Sequence, residues 1–209
     1  MRQIKAIGFD FGGVIGGGPN IGHEFTKASA DLLGVTTEVW RKVYFSINNL
    51  INTDKKSKRD FWLHFLKEFN QTDKIDQVLA QDLAMAKRYL VVNQQIISLI
   101  DQFRERGYKV GLLSNASGEV ANNIKTLNLA GHFDSFLFSA EIGVQKPDIA
   151  AFEYLAKSLG ADLADLIFID DAEPSLKTAS QAGFTPILFK SYEQLVEELT
   201  KLRLLQSVP

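Results

Sequence analysis

The sequence IKAIGFDFGG, at residues 4–13, contains a short apolar run that ends abruptly at Asp10. A run of this length predicts a buried β-strand over residues 4–9. Glycines at positions 12, 13, 16, 17 and 18, followed by Pro19, predict an irregular loop after the strand. Because glycine carries no side chain, this loop leaves close access to the Asp10 carboxylate.

The segment from residue 22 to residue 90 has the periodicity of amphipathic helices and no strand signal. Ser57 stands three residues before Asp60, the spacing of a capping box, and predicts a helix start. The segment therefore predicts about four helices, whose aromatic residues form mainly their own core. Two apolar stripes carry this prediction: Val39, Trp40, Val43, Tyr44, Ile47, Leu50 and Ile51, and then Phe61, Trp62, Phe65, Leu66 and Phe69.

After residue 90, helices and strands alternate, with strands predicted at 109–113, 136–138, 166–169 and 185–189. Such alternation predicts an α/β fold, a parallel sheet covered by helices. If residues 4–9 join this sheet, the helical stretch is an insertion into one core. We therefore expect a catalytic core of residues 1–16 and 91–209 and an all-helical cap of residues 17–90.

Three of the apolar strands end in polar residues: Asp10, Ser114 with Asn115, and the pair Asp170 and Asp171. The carboxyl ends of parallel strands lie along one edge, where open α/β sheets bind their ligands. Taken singly, each residue could be a turn former or a helix cap. Taken together, their common position favours a functional site.

Three carboxylates at one sheet edge repel one another unless a cation neutralises them. The chain has no cysteine and no cluster of histidines, so the available ligands are oxygen atoms. Oxygen ligands favour a hard ion, and Mg²⁺ commonly binds one or two carboxylates, water and a substrate phosphate. The site therefore predicts Mg²⁺ and a phosphate-bearing substrate.

Four motifs at these positions resemble the haloacid dehalogenase-like hydrolase superfamily. They are GFDFGGVI at 8–15, LLSNAS at 112–117, GVQKPD at 143–148 and FIDDAEPS at 168–175. Their order and spacing are similar to the family's over nearly the whole predicted core. The resemblance implies a Rossmann-like core with a helical cap inserted after the first motif.

The resemblance also implies catalytic roles. Asp10 would attack phosphorus and form an aspartyl-phosphate that water then hydrolyses. The Ser114 hydroxyl and the backbone amide of Asn115 would hold phosphoryl oxygens, and Lys146 would place a positive charge against both nucleophile and phosphate. The expected reaction is hydrolysis of a small phosphate ester, with a sugar phosphate as one candidate.

For the metal, the resemblance implies Asp10, Asp171 and the backbone carbonyl of Gly12 as Mg²⁺ ligands, with Asp170 bound directly or through water. Gly12 is also a departure from the family pattern, since its phosphatases usually carry a second Asp there as acid and base. Ser175 departs too, because many relatives have Asn at that position.

Loss of a positioned acid-base group costs about 10²- to 10⁴-fold in rate. We therefore expect leaving groups of low pKa, such as the anomeric oxygen of a sugar 1-phosphate or an acyl phosphate, which need least protonation.

Two other functions remain open from the sequence. A 2-haloacid dehalogenase also lacks the second Asp, but it needs no metal and would have little use for Asp170 and Asp171. A non-catalytic protein could keep the fold and bind phosphate without turnover. Sensitivity to EDTA separates the first alternative from a phosphatase, and a turnover assay tests the second.

Composition excludes several classes of protein. Lys and Arg total 23 against 25 Asp and Glu, and no long block of one charge favours nucleic acid. No apolar run approaches the roughly 18 residues of a membrane span, so no membrane partner is expected. With no cysteine and no signal peptide, a cytoplasmic location is the default expectation. The sequence leaves the oligomeric state open.

Overall fold

The computed structural model describes residues 4–18 and 21–205, so the predicted break at Pro19 lies outside the described residues. Its centre is a sheet of five parallel strands in the order β3-β2-β1-β4-β5. The strands are β1 Ala6–Phe9, β2 Lys109–Ser114, β3 Ser135–Phe138, β4 Leu166–Asp170 and β5 Thr185–Leu188. All five predicted strands are present, and the predicted parallel α/β sheet is confirmed.

Helices fill the long segment between β1 and β2, and further helices connect or follow the later strands. Between β1 and β2 lie α1 Ile21–Leu33, α2 Thr37–Ile47, α3 Asn49–Asn52, α4 Lys58–Lys67, α5 Ile75–Tyr89 and α6 Gln94–Glu105. The later helices are α7 Gly118–Lys125, α8 Ser139–Ile142, α9 Ile149–Ser158, α10 Glu173–Leu176, α11 Ala179–Ala182 and α12 Tyr192–Lys201. Within the two described ranges, every helix is too short or too polar to cross a membrane.

The helical segment differs from its prediction in two respects. The first apolar stripe is divided at Asn48 into α2 and α3, so residues 21–89 form five helices where about four were expected. Val39, assigned to the buried stripe, is 46% exposed. The predicted helix start at Ser57 is confirmed, because its hydroxyl accepts a hydrogen bond from the Asp60 backbone N–H.

Alternating residues of the strands face opposite sides of the sheet and explain why helices cover both faces. Ile7, Phe9 and Ile169 belong to an apolar cluster that includes residues of α6, α7 and α12. Leu166 and Phe168 belong to a second cluster, together with residues of α9. β1 is fully buried at the middle of the sheet, so the residue that follows it is held by strands on both sides.

A third apolar cluster lies within α1 to α5 and the loops that join them. The chain enters and leaves these helices side by side. The Gly17 backbone N–H donates to the Val91 carbonyl at 2.9 Å, and that of Asn93 donates to the Ile15 carbonyl at 2.7 Å. The helical insertion is thus connected to the sheet by two adjacent, hydrogen-bonded segments.

Candidate active site

Three neighbouring strands bring the predicted residues to one edge of the sheet. Asp10 follows the end of β1, Ser114 ends β2 and Asp170 ends β4, and β1 lies between the other two strands. In the register, Phe9 pairs with Leu112 on one side and with Ile169 on the other. The parallel pairing therefore places these residues together, as expected from the sequence.

Asp10, Asp170 and Asp171 form a carboxylate cluster, in which one oxygen of each lies within 4.8 Å of the others. Asp170 is fully buried. One of its oxygens, Oδ1, accepts a hydrogen bond from the Ala172 backbone N–H at 2.8 Å. These three acids are the only group of at least three possible metal ligands in the described part of the chain.

Lys146 reaches the carboxylate cluster from the loop between α8 and α9 and is only 2% exposed. Its Nζ lies 2.5 Å from Asp170 Oδ2 and 2.9 Å from Asp10 Oδ1. Within the described residues, Asp10 Oδ1 has no partner with hydrogen-bond geometry, so its contact with Lys146 is an ion pair. Burial alone would lower the pKa of Lys146, but the two carboxylates outweigh it and raise this pKa.

One ammonium does not neutralise three carboxylates. Burial, followed by the charge of Asp10, raises the pKa of Asp170 to about 6 even though Lys146 opposes this rise. Burial and the charges of Asp10 and Asp170 raise the pKa of Asp171 to about 7. A divalent cation would favour the charged forms and remove this repulsion.

The donor set fits Mg²⁺. It contains three carboxylates. Gly12 lines the cavity that contains these carboxylates, and its backbone carbonyl accepts no hydrogen bond from any residue in the described ranges. Hard oxygen ligands of this kind suit Mg²⁺ better than softer metals.

Asn115 has a structural task that the sequence did not reveal. Its side-chain amide donates to the Lys146 carbonyl at 2.8 Å, and its Oδ1 accepts from the Lys146 backbone N–H at 2.8 Å. This pair of bonds fixes the backbone that carries the buried ammonium. The sequence indicates only the backbone amide of Asn115 and does not predict these hydrogen bonds of its side chain.

Gly12 lies against the ring of Tyr89, at the end of α5. A Cβ atom built on Gly12 would be 3.0 Å from Tyr89 Cε1 and 3.9 Å from Asp10 Oδ2. Tyr89 thus covers the position where a second acid would stand. Nothing in the linear sequence indicated this contact, because the two residues are distant along the chain.

Gly13, like Gly12, has little room for a side chain. Its φ is +72°, and a Cβ atom there would lie 2.0 Å from Asp171 Oδ2. The glycine loop therefore allows the carboxylate of Asp171 to approach the backbone after β1.

A single cavity of about 840 Å³ contains the whole candidate site. Asp10, Gly12, Ser114, Asn115, Lys146, Asp170, Asp171 and Ser175 all line it. The opposite side of the cavity consists of residues from α1, α2, α3, α4 and α5. Its volume suits a small organic ligand.

Comparison with known proteins gives a consistent result. The family model of haloacid dehalogenase-like hydrolases matches residues 4–183. The phosphatase MT3486 of Mycobacterium tuberculosis is 27% identical over 198 residues, which cover 89% of this chain and 87% of that protein. The chain also matches parts of longer proteins, including the mouse bifunctional epoxide hydrolase 2, and spans only 13–23% of their length.

Two solved structures share the fold. A HAD-like family hydrolase from Porphyromonas gingivalis has a TM-score of 0.68 and 22% identity, covering 98% of this chain and 100% of that one. A HAD family enzyme from Bacteroides thetaiotaomicron, crystallised with magnesium and inorganic phosphate, has a TM-score of 0.59 and 19% identity. That match covers 92% of this chain and 98% of the other.

Proposed function

This chain belongs to the haloacid dehalogenase-like hydrolases, and on that premise we propose that it is a Mg²⁺-dependent phosphatase acting on a small phosphate monoester. The observation that carries this proposal is the carboxylate cluster of Asp10, Asp170 and Asp171, which a single buried lysine leaves incompletely neutralised. A phosphatase relative covering most of the chain, and a fold neighbour crystallised with magnesium and phosphate, support it.

In the proposed reaction, the Asp10 carboxylate attacks phosphorus, and the bond from phosphorus to the ester oxygen breaks. Water then attacks the aspartyl-phosphate, releasing inorganic phosphate and restoring Asp10. Lys146 holds a positive charge 2.9 Å from Asp10 Oδ1 and can also attract a phosphoryl oxygen. The Ser114 hydroxyl and the Asn115 backbone amide are proposed to bind the other phosphoryl oxygens.

Asp10, Asp170, Asp171 and the Gly12 carbonyl are the proposed ligands of Mg²⁺, which would supply charge neutralisation to the bound phosphoryl group. The carbonyl of Gly12 can serve as a ligand, but it cannot donate a proton to the leaving group. We therefore propose esters with leaving groups of low pKa, including sugar 1-phosphates and acyl phosphates as candidates.

We also propose that residues 17–90 form a cap and that residues 1–16 and 91–209 form the catalytic core. The third apolar cluster draws only on residues 25–79, which supports a separate core for the cap. The cavity lies between residues of both parts, so the cap can select the substrate.

A panel of phosphate esters, assayed with Mg²⁺ and again with EDTA, tests the proposal. We expect turnover only with Mg²⁺, and Asp10→Asn should reduce it at least about 10⁴-fold because the nucleophile is lost. The matched control is Asp31→Asn, which changes an exposed acid paired with Lys27 and should leave turnover intact.

Halide release from 2-chloropropionate that persists in EDTA would establish a dehalogenase instead. If no ester is turned over with saturating Mg²⁺, yet beryllium fluoride binds in an Asp10-dependent manner, the protein binds phosphate without catalysis.

A further inference from the structure

Tyr89, the last residue of α5, lies against Gly12, where the sequence lacks a second acid. We propose that the Tyr89 hydroxyl donates a hydrogen bond to the ester oxygen as the bond between this oxygen and phosphorus breaks. Tyr89 is then a catalytic residue supplied by the helical cap. This inference rests on the phosphatase function proposed above and identifies the group that helps the alcohol to leave.

The ring of Tyr89 packs on Gly12 through the edge that adjoins its hydroxyl. A Cβ atom built on Gly12 would lie 3.0 Å from Tyr89 Cε1 but 3.6 Å from Cδ1. Cε1 is bonded to the carbon that carries the hydroxyl, so the hydroxyl is close to this contact. The same Cβ position is 3.9 Å from Asp10 Oδ2. The phenol therefore occupies the space beside the nucleophile into which a side chain at residue 12 would extend.

The hydroxyl of Tyr89 is available to a ligand. Tyr89 is partly exposed and lines the cavity together with Asp10 and Asp171. A Cβ atom built on Gly22, in α1, would lie 4.0 Å from Tyr89 Oη, and Gly22 lines the same cavity. In the described part of the chain, this hydroxyl forms no hydrogen bond with another residue. No described residue therefore competes with a bound ester for its proton.

The direction of attack places the leaving oxygen on the side of the helical cap. In phosphoryl transfer, the attacking and leaving oxygens lie roughly in line, on opposite sides of phosphorus. Asp10 attacks from the sheet edge, so the ester oxygen faces the opposite side of the cavity, which consists of residues from α1 to α5. Tyr89 belongs to that side and also packs against Gly12, so its hydroxyl can reach the ester oxygen.

The phenol is suited to donate a hydrogen bond while keeping its proton. Burial is the main cause that raises the pKa of Tyr89, and electrostatic interactions with Tyr44, Asp171 and Asp10 add to it. The hydroxyl is therefore protonated at neutral pH. A fixed, neutral donor stabilises negative charge that develops on an oxygen in the transition state, and it adds no fourth negative charge to the three carboxylates.

The proposed step balances in electrons and protons. Asp10 forms its bond to phosphorus, and the ester bond breaks with its electron pair remaining on the ester oxygen. This oxygen accepts the hydrogen bond from Tyr89 and takes a proton from solvent water. The water that later hydrolyses the aspartyl-phosphate returns a proton to the solvent. Because Tyr89 keeps its own proton, it supplies only part of what an acid would, and leaving groups of low pKa still react fastest.

The dependence of the rate on the leaving group tests the role of Tyr89. The kcat/KM values of wild type and Tyr89→Phe are measured with Mg²⁺ for acetyl phosphate, 4-nitrophenyl phosphate, phenyl phosphate and butyl phosphate. We expect Tyr89→Phe to lower kcat/KM about 100-fold for butyl phosphate, as loss of one donor to a developing oxyanion does, but less than about fivefold for acetyl phosphate. Equal losses for all four esters would overturn the proposal, because a purely structural role affects every ester alike.

Tyr154→Phe and His23→Gln are the comparison variants. Tyr154 is half exposed on α9 and does not line the cavity, so its variant should match the wild type for every ester. His23 lines the cavity on the same side as Tyr89 and is the rival donor. If His23→Gln, and not Tyr89→Phe, lowers the rate selectively for butyl phosphate, His23 is the donor and the proposal is wrong.

Binding measurements separate a contact made in the transition state from a contact with the bound ester. Asp10→Asn, alone and combined with Tyr89→Phe, is titrated with butyl phosphate and Mg²⁺ by calorimetry. We expect the two dissociation constants to agree within about threefold, because charge on the ester oxygen develops only in the transition state. A loss of affinity of about 100-fold would make Tyr89 a binding residue and overturn its catalytic role.

Wild-type kinetics separate this inference from the function on which it rests. If no ester is hydrolysed with Mg²⁺, the phosphatase proposal and the role of Tyr89 both fail. If the esters are hydrolysed and Tyr89→Phe behaves like the wild type, the phosphatase proposal stands and only the role of Tyr89 is rejected.

Discussion

Lys146 links two of the three acids in the carboxylate cluster. Its ammonium is buried between Asp10 and Asp170, at 2.9 and 2.5 Å. A buried charge is stable only while its partners remain charged nearby. The ion pairs of Lys146 with Asp10 and Asp170 therefore also anchor the loop between α8 and α9 at the carboxylate cluster.

Lys146→Met is expected to destabilise the protein by about 3–5 kcal/mol in EDTA, because it leaves buried carboxylates without their counter-ion. Adding Asp170→Asn should recover at least about 1 kcal/mol of this loss. Urea unfolding of the single and double variants measures the loss of unfolding free energy in Lys146→Met and its recovery when Asp170→Asn is added. Lys58→Met serves as control, since this partly exposed pair should contribute no more than about 1 kcal/mol. Strict additivity of the two substitutions would contradict the expected coupling.

Gly13→Ala should weaken Mg²⁺ binding at least about tenfold, because the new Cβ would lie 2.0 Å from Asp171 Oδ2 and displace this carboxylate. Calorimetric titration with Mg²⁺ measures the effect. Gly34→Ala is the matched control, because Gly34 also has a positive φ, +66°, but no atom lies within 4 Å of its Cβ position. If both variants bind Mg²⁺ like the wild type, the close approach of Asp171 to the loop is not needed for the metal.

At the scale of secondary structure, Asp134 fixes the start of β2 beside β3. Its carboxylate accepts from the Val110 backbone N–H at 3.0 Å and pairs with Lys109 at 2.9 Å. Its own backbone N–H donates to the Val110 carbonyl at 2.7 Å. Burial would raise the pKa of Asp134, but the Val110 N–H and the cations of Lys109 and Arg104 outweigh it and lower this pKa.

Because the folded-state pKa of Asp134 is lowered, its contribution to stability is complete above the unfolded pKa of about 3.9. It is lost as the pH falls through the lower, folded value. The stability difference between wild type and Asp134→Asn should therefore shrink between pH 6 and pH 3, as measured by urea unfolding. Asp76→Asn, at a highly exposed acid, should show little difference at either pH. A constant difference for Asp134→Asn across this range would refute the assignment.

At the scale of the molecule, the cavity lies between the sheet edge and the helical segment, and both contribute to its surface. Asp54, between α3 and α4, accepts from the Gly118 backbone N–H at 3.0 Å. Ser139, at the start of α8, donates to the Asn52 carbonyl at 2.6 Å. These contacts hold the helical segment over the carboxylate cluster.

Mg²⁺ at about 100 times its dissociation constant should stabilise the protein by about 2.7 kcal/mol, because it binds the folded state alone. For a chain of this size, the melting temperature should rise by about 5–10 °C. Asp171→Asn should lose most of this rise while keeping its stability in EDTA, since the substitution removes a repelling charge. Asp31→Asn should keep the rise. An unchanged response in Asp171→Asn would remove this residue from the metal site.

Local patterns in the sequence were sufficient for the sheet and for the position of the candidate site. Apolar runs such as residues 166–169 specify buried strands, and the polar residues after them must gather wherever parallel strands end together. Gly107, Gly160 and Gly183 each have positive φ and follow the ends of helices, where glycine commonly adopts the left-handed conformation. These features depend on periodicity and backbone stereochemistry, which act between near neighbours in the chain.

Only the tertiary structure decided which distant groups meet. Packing brings Tyr89 against Gly12 and the side chain of Asn115 against the backbone of Lys146. It also buries the indole N–H groups of Trp40 and Trp62, which have no hydrogen-bond partner among the described residues. The stripe of residues 39–51 gave no indication that the chain turns at Asn48, since side-chain periodicity continues across the break. Pattern therefore determines which face of an element is buried, but the partner on that face depends on how all the elements pack together.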